Sequence, residues 1–263
     1  MSITKAAIGI LYHIHEDEFP RNKKLEFTTI GEALNMRAGK RYADDKEFDY
    51  YGFRDMVETN QNLRKYSVAE LKKQEDTNDM DYSDLTYQLL VSNMDNVAKR
   101  FGVFMEDAVA DDMKREEEFY DKKTHITYYK YGKGWKWEHT RDGEPLGPHG
   151  LYMTQDTAME FGRRAKHHVL DMSSEQKTPC QNWFGIGMNE FTHYWNGWFL
   201  TAENAYAVGY VVQVIALTPS GVKTQLYEED WDGDFMDNEK NRRKHPRWFF
   251  IKNIENKYPI LKV

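Results

Sequence analysis

The sequence predicts an α+β protein, with a helix-rich N-terminal half and a β-rich C-terminal half built on an antiparallel or mixed sheet. Two observations carry that expectation. Between Ser83 and Met113, apolar residues recur at the three-to-five spacing of a single buried helix face. Beyond Lys123, the chain turns to short aromatic and β-branched runs punctuated by Gly and Pro. Charge divides at the same point. Up to Lys123 there are 19 basic and 26 acidic residues, and from Thr124 onward 17 of each, so the first half carries the whole net charge of −7. This defines an acidic helix-rich region (1–123) and an aromatic β-rich region (124–263), with a soft boundary that one continuous domain also accommodates.

Taken in order, Ala6–Tyr12 (AAIGILY) is a short apolar run expected to form a buried strand. Ser67 with Glu70 reads as a capping box that opens a helix to about Gln74. Ser83 caps a longer helix with Leu85, Leu89, Leu90, Met94, Val97 and Phe101 on one face, broken or bent at Gly102. THITYYKYGKGWKWEHT predicts two aromatic strands around a YGKG turn. LYMT is a short strand leading to a helix from Gln155 to about Val169, with Thr154 as its cap. Tyr210–Thr218 and Arg247–Ile254 are further strands. GLYMTQDTA (150–158) and GWFLTAENA (197–205) echo one another as strand, Thr cap and helix with an acid in its first turn.

Composition excludes several classes. No apolar run approaches the roughly 18 to 20 residues that span a bilayer. Acidic residues and histidines follow the first apolar stretch where a secretory signal would carry small residues, so cytoplasmic residence is expected. The single cysteine, Cys180, rules out an internal disulfide and a Cys-based zinc cage within one chain. Net acidity argues against a general nucleic-acid binder.

Several constellations bear on chemistry. His13 and His15 followed by Asp17 would share one strand face, where imidazoles hold metals. The run resembles the HxHxD part of the metallo-β-lactamase signature and the HxH of amidohydrolases, which implies a metal-dependent hydrolase; Glu18 stands where the first family has a further His. GLYMTQDTAMEF resembles the strand-to-helix element of small ADP-ribosyltransferases. That resemblance implies an NAD-using enzyme with His139 as the NAD-binding histidine and Tyr152 as the stacking tyrosine; the late strand offers Gln213 where the family has Glu. Phosphate loops, dinucleotide turns, nucleophile elbows and HExxH helices are all missing, and no cofactor is expected.

Seven Trp, 17 Tyr and 14 Phe suit both a core of large rings and a binding surface. The acidic run 228–239 holds Trp231, Asp232, Asp234 and Phe235, and the basic run after it holds Arg242, Arg243 and Trp248. Trp135 and Trp137 alternate with lysines in the hairpin, a second basic-aromatic surface that suits single-stranded nucleic acid as an alternative ligand. Without a complete active site, these residues point to a non-enzymatic interaction protein whose partner is another protein. The Asn-, Asp-, Lys- and Tyr-rich style suggests a phage or viral accessory protein that binds and inhibits a host defence complex, or a virion component. The amphipathic helix offers a face for self-association.

Overall fold

The computed structural model describes residues 3–38, 62–73, 83–106, 134–140, 143–171, 177–179, 191–209, 213–225, 250–251 and 254–255, and the backbone of 40–41, 75–76, 116–121 and 126–131. Four antiparallel sheets, two of them two-stranded, one four-stranded and one six-stranded, and six helices make up the described chain, an α+β architecture as the sequence predicts. Helix α1 (Ile3–Ile14) comes first, followed by the strand pair β1 (Lys24–Leu25) and β2 (Thr28–Thr29), and then α2 (Ile30–Leu34). Strands β3 (Lys40–Arg41) and β4 (Glu75–Asp76) flank α3 (Leu63–Lys72) and pair with each other. Helices α4 (Asp84–Val91) and α5 (Val97–Phe104) lead to a four-stranded meander: β5 (Glu116–Asp121), β6 (Ile126–Tyr131), β7 (Trp135–His139) and β8 (Leu151–Met153). Helix α6 (Gln155–Leu170) follows. The chain then forms a six-stranded meander from β9 (Thr178–Pro179), β10 (His193–Trp195), β11 (Trp198–Leu200), β12 (Ala205–Val208), β13 (Val214–Thr218) and β14 (Gly221–Gln225). Among the described residues, no helix is long and apolar enough to cross a membrane.

Helix α1 is the axis of this arrangement. Every residue from Ile3 to Tyr12 is buried, and the helix touches α4, α5, α6 and β12. This corrects the expected strand at Ala6–Tyr12. A helix that is apolar on all sides shows no one-sided period, so its short apolar run reads like a core strand. Small residues then let it approach other backbone. A Cβ on Gly9 would lie 1.9 Å from the Asn196 carbonyl oxygen, and one on Gly197 would lie 2.4 Å from the Ala6 nitrogen. Gly197 also sits at φ +91°, in the turn joining β10 to β11. Asn196 closes the junction by donating its side-chain amide to the Gly9 carbonyl at 3.4 Å and its backbone N–H to Asn35 Oδ1 at 3.2 Å.

The other elements follow from local chemistry. Ser83 caps α4 as expected, accepting the Thr86 N–H at 3.3 Å. The periodic stretch beyond it is two helices, because Asn96 adopts left-handed backbone (φ 54°) and turns the chain before α5. Asn62, not Ser67, caps α3: its Oδ1 accepts from Lys65 N at 2.9 Å, and Ser67 is a buried interior residue. Helix α6 starts at the predicted Thr154 cap, which accepts from Thr157 N at 3.3 Å. In the echoed segment, Thr201 likewise accepts from Asn204 N at 3.1 Å, yet the chain turns into β12 rather than a helix. The aromatic hairpin forms as β6 and β7, with Tyr131 opposite Trp135. The expected strand at Tyr210–Thr218 is observed from Val214. Phe250 and Ile251 are helical, which corrects the strand expected at Arg247–Ile254.

One hydrophobic cluster joins α1, α4 and α5 to the inner faces of β7, α6 and β10–β13. It draws on both sides of residue 123, and the β5–β6 pair itself straddles that position. Gly9→Ala is expected to lower unfolding stability by about 3 kcal/mol, the upper range for forced overpacking. Chemical denaturation measures this, and a loss below about 0.5 kcal/mol, the size of an ordinary surface change, would contradict the packing described.

Candidate active site

The least expected side chain in the core is that of Lys5. It lies in the first turn of α1, within the buried stretch Ile3–Tyr12, and is only 2% exposed. A buried ammonium needs charged and hydrogen-bonded partners to offset its desolvation. Asp84, the first residue of α4, brings its Oδ1 to 2.6 Å from Lys5 Nζ, a charge contact that lies outside aligned hydrogen-bond geometry. Lys5 Nζ also donates to the Pro148 carbonyl at 3.0 Å and lies 5.9 Å from the centre of the Tyr87 ring.

The segment carrying Pro148 is fastened on both sides. Leu151 N–H donates to Thr4 Oγ1 at 3.1 Å, so the chain entering β8 lies against the first turn of α1. Gly147 N–H donates to Gln88 Oε1 at 2.8 Å, tying the segment to α4, and Gln88 Nε2 reaches the Pro145 carbonyl at 3.2 Å. Behind it, Glu138 on β7 is 5% exposed. Its Oε2 lies 3.1 Å from His149 Nδ1, and its Oε1 accepts from the Tyr152 hydroxyl at 2.8 Å. The first turn of α1, the start of α4 and residues 147–152 thus bring Lys5, Asp84, Glu138, His149 and Tyr152 into one connected group.

The sequence contains a signal for this place that periodicity and histidine spacing passed over. Ser2 stands three residues before Lys5, giving Ser-x-x-Lys, with Ser83–Asp84 at the head of α4. Ser2 itself lies outside the described residues.

Other predicted site residues fall elsewhere. His13 and His15 lie on or just past the end of a helix, not a strand, so positions two apart point about 200° apart rather than to one face. His15 contacts Glu18 at 3.4 Å and Asp17 is exposed. Among the described residues, no group of three or more His, Cys, Asp or Glu is placed to hold a metal. His13 instead packs edge-on against His168 of α6 at 5.3 Å and against Trp195 at 5.4 Å. His168 is therefore a packed residue, and the neighbouring His167 is exposed near Asp171. His139 is 2% exposed, with its Nδ1 3.0 Å from the Gly143 carbonyl, a poor position from which to present a ring to NAD. Tyr152 is partly exposed, with Lys136 over its ring at 5.6 Å. Trp135 and Trp137 are core residues at 3% and 0% exposure, packed on Phe101, which corrects their expected place on a binding surface. Strand alternation sends both rings inward and the side chain of Lys136 outward. Trp231, Asp232, Asp234, Phe235, Arg242, Arg243 and Trp248 lie outside the described residues.

No family model and no curated protein matches the chain. Among solved structures, it is similar to the crystal structure of a penicillin-binding protein from Bacillus halodurans. The two are 14% identical with a TM-score of 0.56, over 96% of this chain and 83% of that one. The likeness is one of fold.

Burial lowers the proton affinity of both His13 and His168; the neighbouring His168 adds to the effect on His13, and His167 to that on His168. Glu16 opposes it at His13, while Arg21 reinforces it. Below the ordinary histidine value of about 6.5, the unfolded chain therefore binds more protons than the folded one. Stability is fully present above that value and declines as pH falls toward the depressed folded values. Urea unfolding at pH 7.5 and pH 5.5 should show this loss, and His13→Gln with His168→Gln should shrink it. An unchanged slope in the double variant would contradict the assignment.

Proposed function

We propose that the chain is a serine acyl-enzyme protein of the penicillin-recognising type, with Ser2 as nucleophile and Lys5 as its charged companion. The observation that carries this reading is the buried Lys5–Asp84 pair, with Lys5 three residues after Ser2 in the sequence. Penicillin-binding proteins and class A β-lactamases carry a nucleophilic Ser in Ser-x-x-Lys, together with Ser-Asp-Asn and Lys-Thr-Gly runs. Here Ser2–Lys5 matches the first run, and Ser83–Asp84 matches two residues of the second. Leu85 stands in place of the Asn, and no Lys-Thr-Gly occurs in the chain. The fold likeness to a penicillin-binding protein supports the same reading.

In this reading the Ser2 oxygen bonds to an acyl carbon as the bond from that carbon to its leaving group breaks and the hydroxyl proton ends on the leaving group, giving an ester; water then cleaves the ester to the acid and the free Ser2 hydroxyl. The Lys5 ammonium supplies positive charge near the carbonyl oxygen as negative charge develops there. A cation held in a dry site acts more strongly than one in water. Asp84 and Pro148 fix its position.

The interaction-protein reading rests on residues 228–248, and the same experiment weighs against it or for it. Incubating the protein with a fluorescent penicillin is expected to leave one denaturation-resistant label per chain, mapped by mass spectrometry to the Ser2 peptide and lost in Ser2→Ala. A folded protein that takes up no label, or that labels equally in Ser2→Ala, would overturn the serine reading and favour the non-catalytic one.

A further inference from the structure

The geometry points to a proton-operated latch between α1 and α6, closed while His13 and His168 are neutral and released when both carry charge. It is independent of the serine reading. His13 lies in the last turn of α1 and His168 in the last turn of α6. Their rings meet edge-on with centres 5.3 Å apart. On its other side His13 packs edge-on against Trp195 of β10 at 5.4 Å, and His168 leans on Phe104 of α5 at 6.3 Å. Two imidazoles thus fill the junction of four elements.

The junction suits neutral rings, which pack there as aromatic discs. His13 Nδ1 is buried and has no hydrogen-bond partner among the described residues. An imidazolium needs a counter-charge in such a place, and the surrounding charges supply little. Glu16 favours a charge on His13, but Arg21 opposes it. His167 opposes a charge on His168, and the exposed Asp171 lies 3.6 Å from His167. Arg164, one turn earlier on α6, is held by Glu160 and Glu106, and Arg100 on α5 by Glu18 and Asp95. On β10, His193 Nδ1 lies 2.9 Å from Thr192 Oγ1. The partial negative charge of each helix C-terminus also helps a nearby proton. One proton is therefore tolerated. A second meets the first across the ring contact, and among the described residues no carboxylate is paired to either ring.

Two coupled rings titrate as a pair, and charge on one makes the other harder to charge. The latch is shut above the ordinary histidine value of about 6.5 and opens as pH falls below it. Opening separates the last turn of α6 from α1, relieves the repulsion, and gives water access to the Trp195 and Phe104 rings. Such an opening is local: the end of one helix moves while α1 and the rest of the core stay folded. It differs in this from the general loss of stability that any buried histidine brings on acidification.

Amide hydrogen exchange on the full chain, corrected for the intrinsic effect of pH on exchange, tests the latch. On going from pH 7.5 to pH 5.5, the peptide covering 165–171 should open about tenfold more often, the factor that one unit of differential proton affinity supplies, while peptides of α4 change less. His13→Gln and His168→Gln should each abolish most of that rise. His15→Gln, which leaves both rings in place, should keep it. In His168→Gln, the NMR titration of the His13 Hε1 proton should move to higher pH, a change that a merely packed ring would not show. If His13→Gln fails to fold, His168→Gln, at the less buried ring, carries the test alone. No rise at 165–171, an equal rise in α4 and α6, or a His13 midpoint that stays put in His168→Gln would each overturn the latch. None of these outcomes touches the serine reading.

Discussion

A helix buried on every side has to meet its neighbours almost backbone to backbone, and α1 meets that constraint at Gly9. The Asn196–Gly197 turn comes so close there that no side chain fits between, and the Asn196 amide bridges the gap to the Gly9 carbonyl. The contact sets where the six-stranded sheet lies relative to α1. Helices α4 and α5 also pack against α1, and the Tyr12 hydroxyl donates to the Leu90 carbonyl at 2.8 Å. With its middle fixed in this way, the first turn of α1 is held where Lys5, Thr4 and the 147–151 strap meet.

Burying Lys5 is costly in itself, and a hydrophobic residue of similar volume would stabilise the core at least as well. Its presence therefore calls for a reason other than stability. The pair it makes with Asp84 connects α1 to α4, and the bond to Pro148 connects α1 to the segment before β8. One charge thus joins three elements that are far apart in sequence. The same strap carries His149 against Glu138, so the charge, the imidazole and the carboxylate are fixed by a single set of backbone contacts.

Elements with a one-sided pattern were legible in the sequence. Thr154 and Ser83 cap the helices they were expected to cap, and the aromatic hairpin pairs as predicted, because each signal is local. Where the outcome depends on tertiary packing, the local reading fails. AAIGILY has no polar face to reveal a helix, and Ser67–Glu70 imitates a cap inside a helix already started by Asn62. Thr201 makes the same local bond as Thr154, but β12 pairs with its neighbours and the chain stays extended. The site was hidden for a related reason. Histidine spacing drew attention to His13 and His15, whereas Ser2-x-x-Lys5 carries weight only once Lys5 is seen to be buried against Asp84. Trp135 and Trp137 mislead in the opposite sense, since alternation with lysines marks the two faces of a strand as readily as a binding surface.

The account depends most on Lys5 being a buried ammonium held by Asp84. Nitrogen-15 NMR of lysine side chains tests that directly, using Lys5→Met to assign the signal. The account predicts one ammonium resonance at neutral pH whose protons exchange slowly with water, and which loses that protection in Asp84→Asn. A Lys5 nitrogen with the shift of a neutral amine, or one exchanging as fast as surface lysines, would contradict it.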